Sequence, residues 1–200
     1  MSRYLGPKVR LTRRLGVAIA DLPKHTKLGS EMTAPGMHGF RKGRLSEYAV
    51  RLQAKQRMKA HYSVLEKQFR RYMSAAKRAK GNTAITLQQL LETRLDNVVR
   101  RLGVTRSIWA ARQLVAHGHV KLNGKKVDIA SCAVSVGDVI TFKEKCYKLL
   151  RENMESIAGH NVPAWLEFNP AQMEARMVAQ PVPENIPFEI DANKIIEFYR

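Results

Sequence analysis

From Ser46 onward the apolar residues of the chain recur at three- and four-residue intervals. Tyr48, Leu52, Tyr62, Leu65, Phe69, Tyr72 and Met73 follow that spacing, with Ser46 placed to cap the first turn. The opposite faces carry Arg51, Lys55, Lys59, Arg70, Arg71, Lys77 and Arg78. This predicts two basic helices with a break near His61, whose apolar stripe is core and whose basic stripe is a candidate phosphate surface. Gly81 is placed to end the second helix in the left-handed conformation. A new helix is expected to open at Thr86, with Gln89 as its capping-box partner. Its stripe of Leu87, Leu90, Leu91, Leu95, Val98, Val99 and Leu102 runs unbroken to Gly103.

Ser107 is then read as the cap of a helix with Ile108, Ala111, Leu114 and Val115 inward and Gly118 as its stop. Val120, Leu122 and Val127 alternate with polar residues around Asn123-Gly124, the strongest short hairpin signal. Two short strands are predicted at residues 134–136 and 139–142, turning at Gly137-Asp138, and a helix from Arg151 to Ala158. Beyond it, Pro163, Pro170, Pro181, Pro183 and Pro187 divide the chain into loops. Ile195, Ile196, Phe198 and Tyr199 are apolar, so the end of the chain must dock. An acidic C-terminal helix lying on the basic helices of residues 46–80 satisfies both its charge and its apolar residues.

Before Ser46 the pattern fails. Residues 1–44 are broken by Gly6-Pro7, Pro23, Gly29 and the run Pro35 to Gly39, and hold too few apolar anchors to fold tightly alone. The expectation is a basic extended arm with one short helix near Lys8 to Gly16, ordered by a partner. Its Arg-rich start resembles a transit peptide in composition, but Gly6-Pro7 and Pro23 interrupt an amphipathic helix, so it is expected to belong to the mature protein. The longest apolar stretch, residues 15–20, is far shorter than a membrane span.

Charge now changes the picture. The 200 residues hold 35 Lys and Arg against 17 Asp and Glu, a net +18. Residues 1–80 carry 20 basic and 4 acidic side chains (+16), residues 81–150 carry 11 and 5 (+6), and residues 151–200 carry 4 and 8 (−4). So steep a gradient points to a polyanion against the first 80 residues and partly against the middle. The acidic tail either packs on the basic part or faces another protein. A secreted or free-standing metabolic role fits this balance poorly. Cys132 and Cys146 are too few for a disulfide scaffold or a four-thiolate zinc site, which indicates a reducing compartment.

The loop Gly103 to Ser107 gathers the chemistry. Thr105, Arg106 and the amino end of the next helix form an anion site, with N–H groups and the positive helix end together. Arg112 and Gln113 continue that face, and Lys121, Lys125 and Lys126 add charge from the hairpin. Without interleaved aromatics to stack single-stranded bases, recognition of structured RNA by shape and phosphate is favoured. His117 and His119 have no third ligand nearby, so they are read as packing or hydrogen-bonding residues and no metal is expected. His38 is read as a loop residue against RNA. Glu92 and Asp96 are read as surface carboxylates, solvated or paired with Arg. No Gly-rich phosphate loop, nucleophile elbow or Cys-His arrangement occurs, so no catalytic residue is assigned.

The stretch Leu91-Glu92-Thr93-Arg94-Leu95-Asp96-Asn97, with Ser107, residues 111–115, His117-Gly118-His119-Val120 and Asn123-Gly124, resembles the S-four type RNA-binding domain. Arg3-Tyr4, Gly6-Pro7-Lys8, Arg13 to Gly16, Pro35 to Gly39, Ser46 to Tyr48, Lys55-Gln56, Leu65 to Phe69, Val127 to Ser131, Pro163 to Glu167 and the closing Ile196 to Tyr199 resemble bacterial-type small-subunit ribosomal protein S-four. The resemblance runs from end to end.

It implies an α+β protein with a basic extended arm at 1–44. A basic helical domain at 45–85, completed by 180–200, would hold an inserted second domain at 86–179, with the RNA-binding helix-helix-hairpin and β-sheet module at about 92–155. It implies a non-enzymatic primary binder of 16S-type small-subunit ribosomal RNA, cytoplasmic, docking on a multi-helix junction and nucleating assembly. Ribosomal proteins S-five and S-twelve, with which it would influence accuracy, and messenger RNA near the entry channel would be its neighbours.

The RNA-binding residues so suggested are Arg3, Tyr4, Lys8, Arg10, Arg13, Arg14, Pro35, Gly36, His38, Gly39, Arg41, Lys42, Arg44, Arg51, Lys55, Lys59, Arg70, Arg71 and Arg94. In the second domain they are Thr105, Arg106, Ser107, Arg112, Gln113, His117, His119, Lys121, Asn123 and Lys125. Some relatives hold zinc with four N-terminal cysteines. Here no cysteine precedes Cys132, and neither a metal nor another cofactor is expected. Arg100 and Ile108 depart from the common pattern, which would alter contacts at that helix start. The alternatives are an RNA-modifying enzyme that uses the same module, for which no residues are left to form a catalytic domain, and a plastid or regulatory form that also represses its own messenger.

Overall fold

A computed structural model describes residues 4–20, 23–26, 33–40, 43–157, 159–186 and 191–200. The chain forms two compact units, one from residues 1–87 with 188–200 and one from residues 88–187.

The first unit is helical. α1 (Lys8–Leu15) and the short α2 (Pro23–Thr26) precede α3 (Glu47–His61) and α4 (Glu66–Arg78), and α9 (Ala192–Phe198) returns to pack on α3. Ser46 caps α3 by accepting a hydrogen bond from Ala49 N at 3.3 Å. The break at His61 is a turn in which Ser63 takes a φ of 50° and Tyr62, Ser63 and Val64 are buried. In α4, Phe69, Met73 and Ala76 form the buried stripe that the periodicity predicts. α4 ends before Gly81, because the chain is already extended at Ala79. Asp191 caps α9 by accepting from Asn193 N and Lys194 N, and Ile195 is fully buried. α1 is tied to α3 by Arg57, which donates to Leu15 O at 2.9 Å. Thr12 and His25 meet in a buried 2.6 Å hydrogen bond.

α5 (Thr83–Glu92) leads from this unit into the second. It starts three residues earlier than the capping-box pattern suggests, because Asn82 Oδ1 accepts from Ala84 N at 2.9 Å. Thr86 lies inside the helix and donates to Asn82 O. The apolar stripe to Leu102 does not belong to one helix. It divides at Thr93-Arg94 into α5 and α6 (Leu95–Arg101). Residues 130–134 come in beside the break, where Leu95 N donates to Cys132 O at 2.8 Å and Val134 N donates to Thr93 O at 2.8 Å. Carbonyls from a distant segment thus satisfy the unpaired N–H groups of α6.

α7 (Ile108–Ala116) packs on α6, and α8 (Tyr147–Ser156) begins four residues before the predicted Arg151. β1 (Val120–Leu122), β2 (Lys125–Val127), β3 (Val139–Phe142), β4 (Leu166–Asn169) and β5 (Glu174–Met177) form one antiparallel sheet in the order β2-β1-β3-β5-β4. The hairpin turns on Asn123 and Gly124, with φ of 49° and 77°, the pair of positive values a tight hairpin needs. Residues 134–136 form no strand. Ser135 N donates to Asp138 Oδ2 instead, closing a turn that leads into β3. The proline-rich stretch read as loops contains β4 and β5. Ala175 and Met177 point into the core while Glu174 and Arg176 point out. The core joins Leu95, Val98, Val115, Ile140, Trp165 and Met173.

Candidate nucleic-acid interface

In the helical unit, Tyr4, Lys8, Arg10 and Arg14 are exposed on and before α1, and Arg13 is held by two hydrogen bonds to Thr33. Pro35 to Phe40 make a compact turn in which Gly39 N donates to Gly36 O at 3.2 Å and His38 is exposed. A Cβ at Gly39 would fall 1.8 Å from Ala34 O, so only glycine fits the turn. Arg44, Arg70 and Arg71 are exposed. Arg3, Arg41 and Lys42 lie outside the described residues.

Three predicted surface cations serve the fold instead. Arg51 binds Glu47 and, at 2.8 Å, Glu197 of α9. Lys55 is buried with its Nζ 4.0 Å from the Phe198 ring centroid and 3.4 Å from Glu66. Lys59 meets Glu66 at 2.6 Å, and the Tyr199 hydroxyl donates to Glu66 Oε1 at 2.7 Å. Burial alone would raise the Glu66 carboxyl. The hydrogen bonds from Lys59 and Tyr199, with the charges of Lys59 and Lys55, outweigh it and hold the group down to about 2. Burial and the Glu66 hydrogen bond raise Tyr199 above its ordinary value. The C-terminal helix therefore docks on the basic helices as expected, although α9 itself carries one Lys and one Glu and is net neutral.

In the mixed unit, Arg94 faces inward, forming a two-point ion pair with Asp96 at 2.6 and 3.0 Å. Arg101 grips Glu92 the same way at 2.5 and 2.9 Å, and Asn97 donates to the same carboxylate. Glu92 and Asp96 are thus Arg-paired but buried, not surface carboxylates. Burial pushes the Asp96 carboxyl up, against the pull of Arg94 and then Arg112. Arg100, the departure from the common pattern, is also buried.

The start of α7 has the expected form. Ser107 Oγ accepts from Ala110 N at 3.3 Å, and Ile108 is fully buried behind it. Arg106 is exposed and donates to Ser156 Oγ at 2.7 Å, whereas Thr105 is buried. Gln113 on α7 and His117 just past its end are exposed, and Arg112 on α7 and His119 beyond the turn are half-buried. Lys121 is half-buried and Lys125 exposed on the hairpin. Asn123 is committed to the sheet, donating to Asp138 and accepting from Val139 N. His117 and His119 stand 6.1 Å apart, and no group of three metal-ligating side chains occurs among the described residues. Sequence reasoning passed over Leu149 and Asn153 of α8, which face α7 across a cleft. Their signal is the one-face spacing of Leu149, Leu150 and Asn153.

Two family models match the chain, "Ribosomal protein S4/S9 N-terminal domain" over residues 3–92 and "S4 domain" over residues 93–140. Their junction falls where α5 breaks from α6. The chain is similar along its whole length to curated proteins called "Small ribosomal subunit protein uS4". It is 46% identical to that of a Sulfurihydrogenibium species and 45% identical to that of Aquifex aeolicus, each over 99% of the relative. With the protein of a Synechococcus strain the identity is 44%, over 98% of the relative.

Proposed function

The chain belongs to the family of small ribosomal subunit protein uS4, structural and non-enzymatic, and on that premise we propose that it is a primary binder of 16S-type ribosomal RNA. The observation that carries this reading is end-to-end similarity at 44–46% identity to proteins of that name. In this reading the protein docks on a multi-helix RNA junction and nucleates assembly of the subunit in the cytoplasm. Proteins S-five and S-twelve and the incoming messenger RNA are its neighbours, through which it influences decoding accuracy.

The placement of cations supports a division of labour. Lys8, Arg10, Arg14, Arg44, Arg70 and Arg71 of the helical unit are exposed, and so are Arg106 and Lys125 of the mixed unit. Their exposure leaves these side chains able to reach phosphates. Arg51, Lys55, Lys59 and Arg94 act indirectly, holding the surfaces on which the others stand.

Binding of the full chain to small-subunit ribosomal RNA tests the reading. If about six phosphates are neutralised, affinity falls roughly a thousandfold between about 50 and 200 mM salt. Replacing Arg10 and Arg14 together by Gln lowers the slope of log affinity against log salt by about two. A flat salt dependence overturns the proposal.

A further inference from the structure

On α7, Ala110 and Leu114 share one helical face, and on α8 Leu149 and Leu150 oppose them. The cleft between them holds about 320 Å³, within the range of small-ligand sites. Leu114 and Leu150 are buried, while Ala110 and Leu149 are exposed at its mouth. Thr105 and His119 also line it.

These two residues make the cleft more than a packing fault. Thr105 is only 5% exposed, yet its Oγ1 has no hydrogen-bond partner, and the buried Nδ1 of His119 has none either. A buried polar atom without a partner is destabilising, and natural proteins keep few of them. No acidic side chain is among its lining residues. Arg106 sits at Ser156, whose hydroxyl donates to Asn153 O, and Asn153 lines the cleft. Lys126 crosses Gly118, where a Cβ would lie 2.2 Å from its Cε.

We propose that this cleft takes one unstacked nucleobase of the bound ribosomal RNA, its faces against the two helices and its polar edge at Thr105 Oγ1 and His119 Nδ1. The inference rests on the RNA-binding reading and deepens it. A nucleobase has flat faces for apolar walls, edge groups for both orphaned atoms, and a phosphate on each side for Arg106 and Lys126. An apolar side chain from another protein would match the walls but leave both polar atoms unpaired. A hydroxyl and a neutral imidazole can each donate or accept, so the site anchors a base without dictating which one. It supplies the single-strand contact for which the sequence shows no aromatic platform.

The test uses the full chain, small-subunit ribosomal RNA and two variants with thermal unfolding measured beside them. Ala110→Phe fills the mouth and weakens binding about tenfold, with the salt slope falling by no more than about two, the phosphates facing Arg106 and Lys126. Thr105→Val weakens binding about fivefold while its melting temperature holds or rises, because the orphaned hydroxyl is gone. A merely structural Thr105 would not separate affinity from stability in that direction. Chemical probing of Watson–Crick edges shows one single-stranded base protected by the wild type and re-exposed with Thr105→Val. Wild-type affinity in both variants, with the Arg10 and Arg14 double variant still weakened, overturns the base site and leaves the function standing. Salt-independent binding by the wild type removes both. Unchanged RNA affinity with failed incorporation of Ala110→Phe into subunits assigns the cleft to a protein side chain and overturns the nucleobase.

Discussion

The two units handle surplus positive charge in opposite ways. The mixed unit draws Arg94 and Arg101 inside and matches each with one carboxylate through two contacts, leaving both pairs almost wholly out of water. The helical unit shares one acid among several bases and leaves that acid partly in water. Glu66 serves Lys55, Lys59, Arg70 and the Tyr199 hydroxyl while its side chain remains 34% exposed. Buried pairs specify a packing arrangement at high risk if one member is lost, whereas shared, half-wet pairs fasten a segment with little penalty for loss. The difference follows local supply. Residues 1–80 contain only four acidic side chains against 20 basic ones, so one acid met by several bases, as at Glu66, is what local supply favours.

The comparison can be broken most severely in the mixed unit. Arg101→Met strands Glu92 in the core and is expected to cost about 3–5 kcal/mol in denaturant unfolding. A loss below 1 kcal/mol would show that water reaches the pair. Removing residues 191–200 takes away α9 and the fully buried Ile195. Hydrogen exchange over α3 should then quicken by an amount equivalent to about 2–3 kcal/mol, the worth of one buried aliphatic side chain, with the mixed unit unaffected.

Glu66→Gln is gentler, about 1 kcal/mol once solvent screening of a third-exposed carboxylate is allowed for. Its pH signature has a definite sign. With the folded value lowered from 4.5 to about 2, the stabilisation is complete above 4.5 and fades as the pH falls toward 2. Stability measured between pH 5 and 2.5 should therefore fall less steeply in Glu66→Gln than in the wild type. Smallest of all, Arg71→Gln on the exposed face of α4 should change stability by no more than about 0.5 kcal/mol while weakening RNA binding. Equal loss of both would place Arg71 with the fastening cations.

What could be read in the chain before its structure divides along the range of the interactions. Ser46 and Ser107 as caps and Asn123-Gly124 as a turn depend on partners within three residues, and pattern alone locates them. Docking of the C-terminal helix was legible because Ile195, Ile196, Phe198 and Tyr199 had to be covered, though α9 itself is net neutral. The division of the Leu87 to Leu102 stripe was not, because the carbonyls that break it arrive from Ala130 and Cys132. Nor were the inward turns of Lys55 and Arg94, since a basic residue on an amphipathic helix carries no mark of whether an acid will meet it. β5 alternates plainly, but the prolines on either side outweighed four residues of pattern. The cleft beside Thr105 depends on two helices separated by some thirty residues, and no local rule joins them.

The break between α5 and α6 also has a meaning in time. Leu95 cannot pass its N–H to Cys132 O until Cys132 exists, roughly 40 residues further along the nascent chain. At synthesis rates of about 5–20 residues per second, that is a delay of roughly 2–8 s. For those seconds the unbroken leucine and valine stripe is free to run as the single helix its periodicity describes. The break between the two helices can therefore take its final form only once residues 130–134 have been made.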